Sequence, residues 1–243
     1  MIYIVLPAYN EEETLPPLLR RIKANLDESG LIYRVIAVND GSSDNTLGVL
    51  QESAAEIPLT IIEHPENRGL ADALRTGLVE AITHSGDQDI VVTMDSDNTH
   101  TPGLVLRMVR LIREGHDVVI ASRYRVGART IGVPWYRRLL SLGAALIFKL
   151  AFPTRGVLDY TSGFRAYRAS ALKELFKAFG EDLISEPGFS CMVDILLKLR
   201  KYPLIIGEVP LILRYDKKVG ASKMNVGRTI MDTLSLIARR FFK

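Results

Sequence analysis

The chain of 243 residues contains a single cysteine, Cys191. No intrachain disulfide can form, which fits a reducing compartment, and Cys191 itself reads as a small buried hydrophobe. Long apolar runs are missing too. The longest uncharged apolar stretch, residues 139–148, falls well short of the roughly 20 residues a bilayer crossing needs, so the chain is expected not to span a membrane. The first residues carry neither a basic leader nor a cleavage pattern and read as a strand. No G-x-G-x-x-G follows that strand, which removes the main support for a dinucleotide cofactor. No G-x-x-x-x-G-K-[ST] occurs, which excludes P-loop kinases and ATPases. The four histidines, His64, His84, His100 and His116, are scattered, and no Cys/His cluster has zinc spacing. There is no repeat, low-complexity tract or Pro/Ser linker, so the chain reads as one domain with a C-terminal extension.

The composition, 47% hydrophobic and 24% charged, can bury a sizeable core. Net charge is only +3, yet its distribution is lopsided. Residues 1–121 hold 9 Lys/Arg against 19 Asp/Glu, whereas residues 122–243 hold 22 against 9. A basic second half points to an anionic partner such as phosphate, acidic lipid or nucleic acid. Nucleic acid is the weakest of these, because stacking aromatics are not interleaved with the basic residues, which cluster near apolar helical segments.

Short runs rich in Ile and Val at 2–6, 33–38, 59–63, 89–94 and 117–121 lack polar alternation, as buried parallel strands do. Helical patterns at 12–26, 45–54, 70–83 and 103–113 separate them. In the first, Leu15, Leu18, Leu19, Ile22 and Leu26 recur at helical spacing, and Asn10 with Glu13 predicts a capping box. This alternation predicts a doubly wound α/β layer, in which ligands bind beyond the carboxyl ends of the strands. Three polar loops fall there: residues 7–11, 39–44 and 95–98. Past residue 122 come a basic, Gly-rich loop at 125–134 and an amphipathic helix at 135–151 bearing Arg137, Arg138 and Lys149. A similar amphipathic segment runs over 225–243.

Asp95 and Asp97 follow the strand at 90–94. Two carboxylates at a strand end can face one hard cation, which keeps its other positions for water and phosphate oxygens. The cation then offsets the charge of a diphosphate leaving group. Only His100 among the histidines lies near this loop, and a structural or positioning role suits it best.

Seven motifs occur in order along nearly the whole chain, from Ile2 to about Arg240. Leu6-Pro7-Ala8-Tyr9-Asn10-Glu11, Val38-Asn39-Asp40-Gly41-Ser42-Ser43-Asp44, Asn67-Arg68-Gly69-Leu70-Ala71 and Asp95-Ser96-Asp97 resemble the motifs of family 2 glycosyltransferases. Ala121-Ser122-Arg123-Tyr124, Thr161-Ser162-Gly163-Phe164-Arg165 and Val219-Gly220-Ala221-Ser222-Lys223-Met224 narrow the resemblance to its dolichol-phosphate mannose synthase branch. The resemblance implies a GT-A fold, a mostly parallel Rossmann-like sheet flanked by helices, over residues 1–224, with an interfacial helix at about 134–152 and a C-terminal amphipathic helix at 225–243. It also implies inverting transfer of a sugar, with GDP-mannose favoured as donor, onto a polyprenyl or dolichyl phosphate.

By position, the resemblance puts Pro7, Tyr9, Glu11 and Asp40 on the nucleoside, and Asp95 and Asp97 on Mg²⁺ or Mn²⁺ and the diphosphate. Arg123, Arg137, Ser141 and Lys223 fall on the acceptor phosphate, with Asp97, Arg123 and Arg137 as the catalytic set. Ser222 and Lys223 would ride on a closing loop. Two positions depart from the family pattern: Thr99 stands where a metal-contacting Gln is usual, and Asn39-Asp40 replaces Asp-Asp.

A phosphate monoester is already anionic at neutral pH and needs no base, whereas an acceptor hydroxyl would need one. Asp194 is the candidate in that case. Arginines suit the acceptor because they bind phosphate oxygens in pairs. Trp135 and Tyr136 head a helix able to lie among lipid headgroups, although the same helix could instead pack on the sheet. The expected location is the cytoplasmic face of an anionic membrane, peripherally bound, with a membrane-anchoring subunit as a further partner.

Overall fold

The computed structural model describes residues 1–188 and 190–218. In chain order its elements are β1 (Ile2–Ala8), α1 (Leu15–Glu28), β2 (Tyr33–Asp40), α2 (Thr46–Ser53), β3 (Leu59–His64), α3 (Leu70–His84), β4 (Ile90–Thr93), α4 (Leu104–Arg113) and β5 (Val118–Ser122). There follow β6 (Arg129–Ile131), α5 (Trp135–Ala151), β7 (Arg165–Arg168), α6 (Ala169–Phe179), α7 (Ser190–Leu199), β8 (Ile206–Pro210) and β9 (Ile212–Arg214). Single 3-10 turns occupy Gly180–Ile184 and Tyr215–Lys217.

Successive residues of a strand face opposite ways, and β1 uses both faces. Ile2, Ile4 and Leu6 pack with Leu15, Leu18 and Met108 from α1 and α4, while Tyr3 and Val5 join Leu74, Leu78 and Leu172 from α3 and α6. Continuous apolar strands are therefore matched by helices on both sides. The strands form a seven-stranded sheet in the order β3-β2-β1-β4-β7-β5-β8. It is parallel except for β7, which runs antiparallel to both β4 and β5. β6 and β9 pair separately.

The α/β architecture and all five first-half strands agree with the sequence reading, with ends displaced by a few residues. The capping box does not form. α1 begins at Leu15 rather than residue 12, because Pro16 and Pro17 are suited to a helix's first turn, and no side chain caps it. Asn10 instead has φ 51°, and its Oδ1 accepts a hydrogen bond from the Ser43 amide at 2.8 Å. β7 and β8 were not legible. The four residues Arg-Ala-Tyr-Arg of β7 show no apolar run.

α5 forms over the expected residues, but Phe148 is its only buried side chain. Trp135, Leu139, Leu142, Leu146 and Leu150 are exposed, so packing on the sheet does not account for its apolar face. Among the described residues no helix is long and apolar enough to cross a membrane. The predicted helix at 225–243 lies outside the described residues.

Candidate active site

The loops that leave β1, β2 and β4 meet at the carboxyl edge of the sheet, where parallel strands leave room for a ligand. They enclose a cavity of ≈ 340 Å³ whose walls include Pro7, Tyr9, Glu11, Asp40, Asp95 and Asp97. All six residues that the sequence assigned to the donor thus line one cleft. Lys218, which the sequence reading passed over, lines it as well.

Asp40 is buried and fully engaged. Its Oδ1 accepts hydrogen bonds from His64 Nδ1 at 2.7 Å and the Arg68 amide at 3.0 Å, and its Oδ2 accepts one from the Gly69 amide at 2.8 Å. Nε2 of His64 meets Thr76 Oγ1 at 3.0 Å. Asp40 shapes the cleft by holding the segment at 67–69, which supplies Asn67 and Gly69 to the wall. Gly41 makes this approach feasible: its φ is +63°, and a Cβ there would lie 2.3 Å from the Glu66 carbonyl carbon and 2.5 Å from the Asn67 nitrogen. Gly41→Ala is expected to cost about 1–3 kcal/mol of stability and to raise the donor KM. Thermal melts and donor titrations check both effects.

The loop after β4 is pinned on several sides. Ser96 Oγ donates to the Pro7 carbonyl at 2.7 Å, and Arg21 Nη1 donates to Asn98 Oδ1 at 2.7 Å, holding Asn98 at φ 59°. Thr99 uses its amide and hydroxyl, at 3.2 and 2.6 Å, to fix Asp97 Oδ1. The residue that replaces the family's Gln therefore orients a carboxylate. His100, stacked on Phe164 with centroids 4.9 Å apart, accepts from the Asp95 amide through Nδ1 at 3.3 Å. Its Nε2 lies 3.8 Å from Asp95 Oδ2, so it acts as a positioning residue for Asp95.

The two carboxylates are driven apart in acidity. Burial raises Asp95, and repulsion from Asp97 adds to the rise against the pull of His100. Burial also works against ionised Asp97, but Lys218, with Nζ 2.6 Å from Oδ2, prevails and lowers it. Asp97 already holds a cation on its cleft side, and the pair offers only hard oxygen donors. No cluster of three or more His, Cys, Asp or Glu that could bind metal occurs among the described residues. Two carboxylates with room for phosphate oxygens fit Mg²⁺ or Mn²⁺.

Arg123 leaves the end of β5 and donates to Thr161, two residues from Gly163, where a Cβ would lie 3.2 Å from Asp95 Oδ1; its charge pulls against the burial that raises Asp95. Asp159, fully buried, grips it: Asp159 Oδ2 accepts from Arg123 N at 2.9 Å and Nε at 2.8 Å, and Oδ1 accepts from Nη2 at 2.7 Å. Nη2 also donates to Thr161 Oγ1 at 2.5 Å. Burial would lower the Arg123 pKa, but Asp159 outweighs it and holds the group fully charged. With Nε and Nη2 engaged, Nη1 makes no hydrogen bond among the described residues. Arg123 also lies over the Tyr124 ring, 5.5 Å from its centroid, and the Tyr124 hydroxyl meets Ser141 Oγ at 2.6 Å. Arg137 Nη1 donates to Tyr215 Oη at 2.8 Å. Arg123, Arg137 and Ser141 thus lie on the β5 and α5 side, outside the lining of this cleft. Ser222 and Lys223 lie outside the described residues.

Asp194 is not among the residues lining the cleft. Buried, it accepts from Ser185 N and Oγ at 2.9 and 2.8 Å and from Lys198 Nζ at 2.6 Å. Burial is outweighed by these donors, which hold its carboxyl low, a poor setting for a general base. Burial pushes the Cys191 thiol up to about 12, which leaves it inert. Arg165, also buried, spans the carbonyls of Ser162 and Tyr160 at 2.8 and 2.9 Å, so it braces the loop that carries Asp159. Asp159 had a weak signal, standing two residues before the Thr161 motif. Lys218 stands immediately before the Val219 motif, and Tyr215 had no signal at all.

A family model described as Glycosyl transferase family 2 matches residues 3–176. A dolichol-phosphate mannosyltransferase of Pyrococcus furiosus is 34% identical over 239 residues, which is 98% of this chain and 63% of that protein; the chain therefore spans less than two thirds of that relative. An undecaprenyl-phosphate mannosyltransferase of Micrococcus luteus is 30% identical over 227 residues, 93% of this chain and 88% of that one. Among solved structures, glucosyl-3-phosphoglycerate synthase from Mycobacterium tuberculosis, in complex with Mn²⁺, UDP and glucosyl-3-phosphoglycerate, superposes with a TM-score of 0.64 at 25% identity. That match covers 100% of this chain and 77% of the other.

Proposed function

The chain belongs to glycosyl transferase family 2 and has its GT-A fold, and on that premise we propose that it transfers a hexose, mannose from GDP-mannose, to a polyprenyl or dolichyl phosphate at a membrane surface. One observation carries this reading: a carboxylate pair lines the cleft, and a guanidinium, Arg123, that buried Asp159 holds in place is tied through Thr161 to the loop whose Gly163 abuts Asp95. In such a site a phosphate oxygen attacks the sugar's anomeric carbon from the face opposite the diphosphate. The bond to the diphosphate oxygen breaks, and the nucleoside diphosphate leaves with that electron pair, so the anomeric configuration inverts. No proton has to move, since the attacking oxygen is already anionic. The site accordingly needs no side chain in the role of Asp194.

Pro7, Tyr9 and Glu11 hold the nucleoside, on a wall shaped by Asp40. Asp95 and Asp97 would hold Mg²⁺ or Mn²⁺, which when bound offsets charge on the departing diphosphate. Nη1 of Arg123, with Arg137 and Ser141, takes the acceptor phosphate and offsets the repulsion between two anions brought close together. The exposed apolar face of α5 lies in the headgroup region of an anionic bilayer at its cytoplasmic face, with Arg137, Arg138 and Lys149 meeting the lipid phosphates. The chain is then a peripheral membrane enzyme.

Two experiments test the reading. Mannose from labelled GDP-mannose should pass to a short polyprenyl phosphate in the presence of Mg²⁺ or Mn²⁺. Transfer to 3-phosphoglycerate but not to the lipid would replace the lipid acceptor with a soluble one. The protein should also sediment with anionic vesicles, and Leu139→Glu with Leu146→Glu should weaken that binding roughly tenfold or more, given the free energy of burying a leucine.

A further inference from the structure

The segment from β9 to Lys218 links the two sides of the proposed site. The Arg214 amide donates to the Thr99 carbonyl at 2.9 Å, which fastens the segment to the loop bearing Asp97. The turn at Tyr215–Lys217 lies against Gly132, whose φ is +78° and where a Cβ would come within 2.7 Å of the Asp216 nitrogen. From this anchored turn Tyr215 holds Arg137 through its hydroxyl. The Lys218 ammonium lies 5.7 Å from the Tyr215 ring centroid and 2.6 Å from Asp97 Oδ2. The Lys218 and Asp97 side chains are 16% and 17% exposed. The ion pair is therefore well shielded and only weakly screened.

The other Asp97 oxygen is occupied by Thr99, so Oδ2 is the atom left for a cation in the cleft. An ammonium at 2.6 Å and a divalent cation on the same oxygen would repel each other strongly in so enclosed a space. A nucleoside diphosphate brings negative charge that can satisfy both. We propose that Lys218 is the resident counter-ion of Asp97, that the divalent cation takes its place on Oδ2 when the donor enters, and that the displaced ammonium then pairs with the donor's diphosphate. This inference rests on the proposed donor site and adds to it a residue with two successive partners. Tyr215 keeps the ammonium within reach of both, since its ring lies beneath Lys218 while its hydroxyl is tied to Arg137.

The test is Mn²⁺ binding to the full chain, followed by electron paramagnetic resonance, without nucleotide and then with GDP or UDP. Without nucleotide, Lys218→Met should bind Mn²⁺ roughly tenfold more tightly than the parent, because no internal cation competes. With nucleotide the order should reverse, the variant binding the Mn²⁺ complex roughly tenfold more weakly. Lys218→Arg should stay close to the parent in both arms. Lys218→Gln serves if the methionine variant melts early. Equal nucleotide-free affinities for parent and variant would overturn the exchange. An unchanged affinity in the nucleotide arm would overturn the second partner. If the parent binds Mn²⁺ and Asp97→Asn does not, the donor site stands whatever Lys218 does. If the parent binds no Mn²⁺ in either arm, the donor-site reading falls with the proposal.

Discussion

Replacing Asp97 with alanine is expected to lower kcat on the order of 10³-fold, the scale on which a preorganised electrostatic contact to the reacting groups acts. The expectation follows from position. Asp97 is the member of the carboxylate pair whose acidity is strengthened, with one oxygen fixed by Thr99 and the other turned to the cleft. Removing it leaves Lys218 without its partner, so some loss of stability accompanies the loss of rate. Asp97→Asn separates the two effects. The amide keeps its size and can still accept from Thr99, but it cannot hold a divalent cation as a carboxylate does. Its melting temperature should stay near that of the parent while turnover collapses. Wild-type rates for Asp97→Ala in the presence of chelator would remove the metal from the reading altogether.

The second large effect concerns Arg123, where rate and stability must be disentangled. Arg123→Ala should reduce kcat/KM for the acceptor on the order of 10²-fold, with a smaller effect on nucleotide binding. It also strands the buried Asp159 carboxylate, and breaking one side of a buried ion pair costs about 3–5 kcal/mol. The double variant Arg123→Ala, Asp159→Asn should recover much of the stability and none of the activity. Recovery of both would demote Arg123 to a purely structural role.

The same pair predicts an acid dependence. Although burial opposes it, Arg123 depresses the Asp159 pKa. Its contribution to stability is therefore complete above the unfolded value of about 3.9 and fades as pH falls through the lower folded value. The acid side of a stability–pH profile should be flatter when Asp159 is Asn.

The cleft built by the loops after β1, β2 and β4 was more legible in the sequence than the surroundings of Arg123, for a physical reason. β1, β2 and β4 are apolar runs, and each is followed at once by the polar loop it delivers to the cleft, so Tyr9, Asp40 and Asp95 could be placed from chain order alone. The partners that complete the site arrive by tertiary routes. Asp159 meets Arg123 across 36 positions and Lys218 meets Asp97 across 121. Neither pairing leaves a periodicity to read. β7 escaped notice because one of its buried residues is an arginine, and the apolar pattern of α5 did not disclose that its leucines face outward.

The reversed direction of β7 carries a consequence for how such a protein can diversify. Parallel strands deliver their outgoing loops to the ligand edge. β7, running the other way, delivers its incoming connection there instead, which slots the stretch around Asp159 between the ends of β4 and β5. The grip on Arg123 is therefore supplied by a different connection from the loops after β1, β2 and β4 that line the cleft. Exchanging residues 153–161 between relatives, which leaves Phe164 and its stack on His100 in place, should retune what is accepted without redrawing what is donated, a division of labour that recombination can exploit.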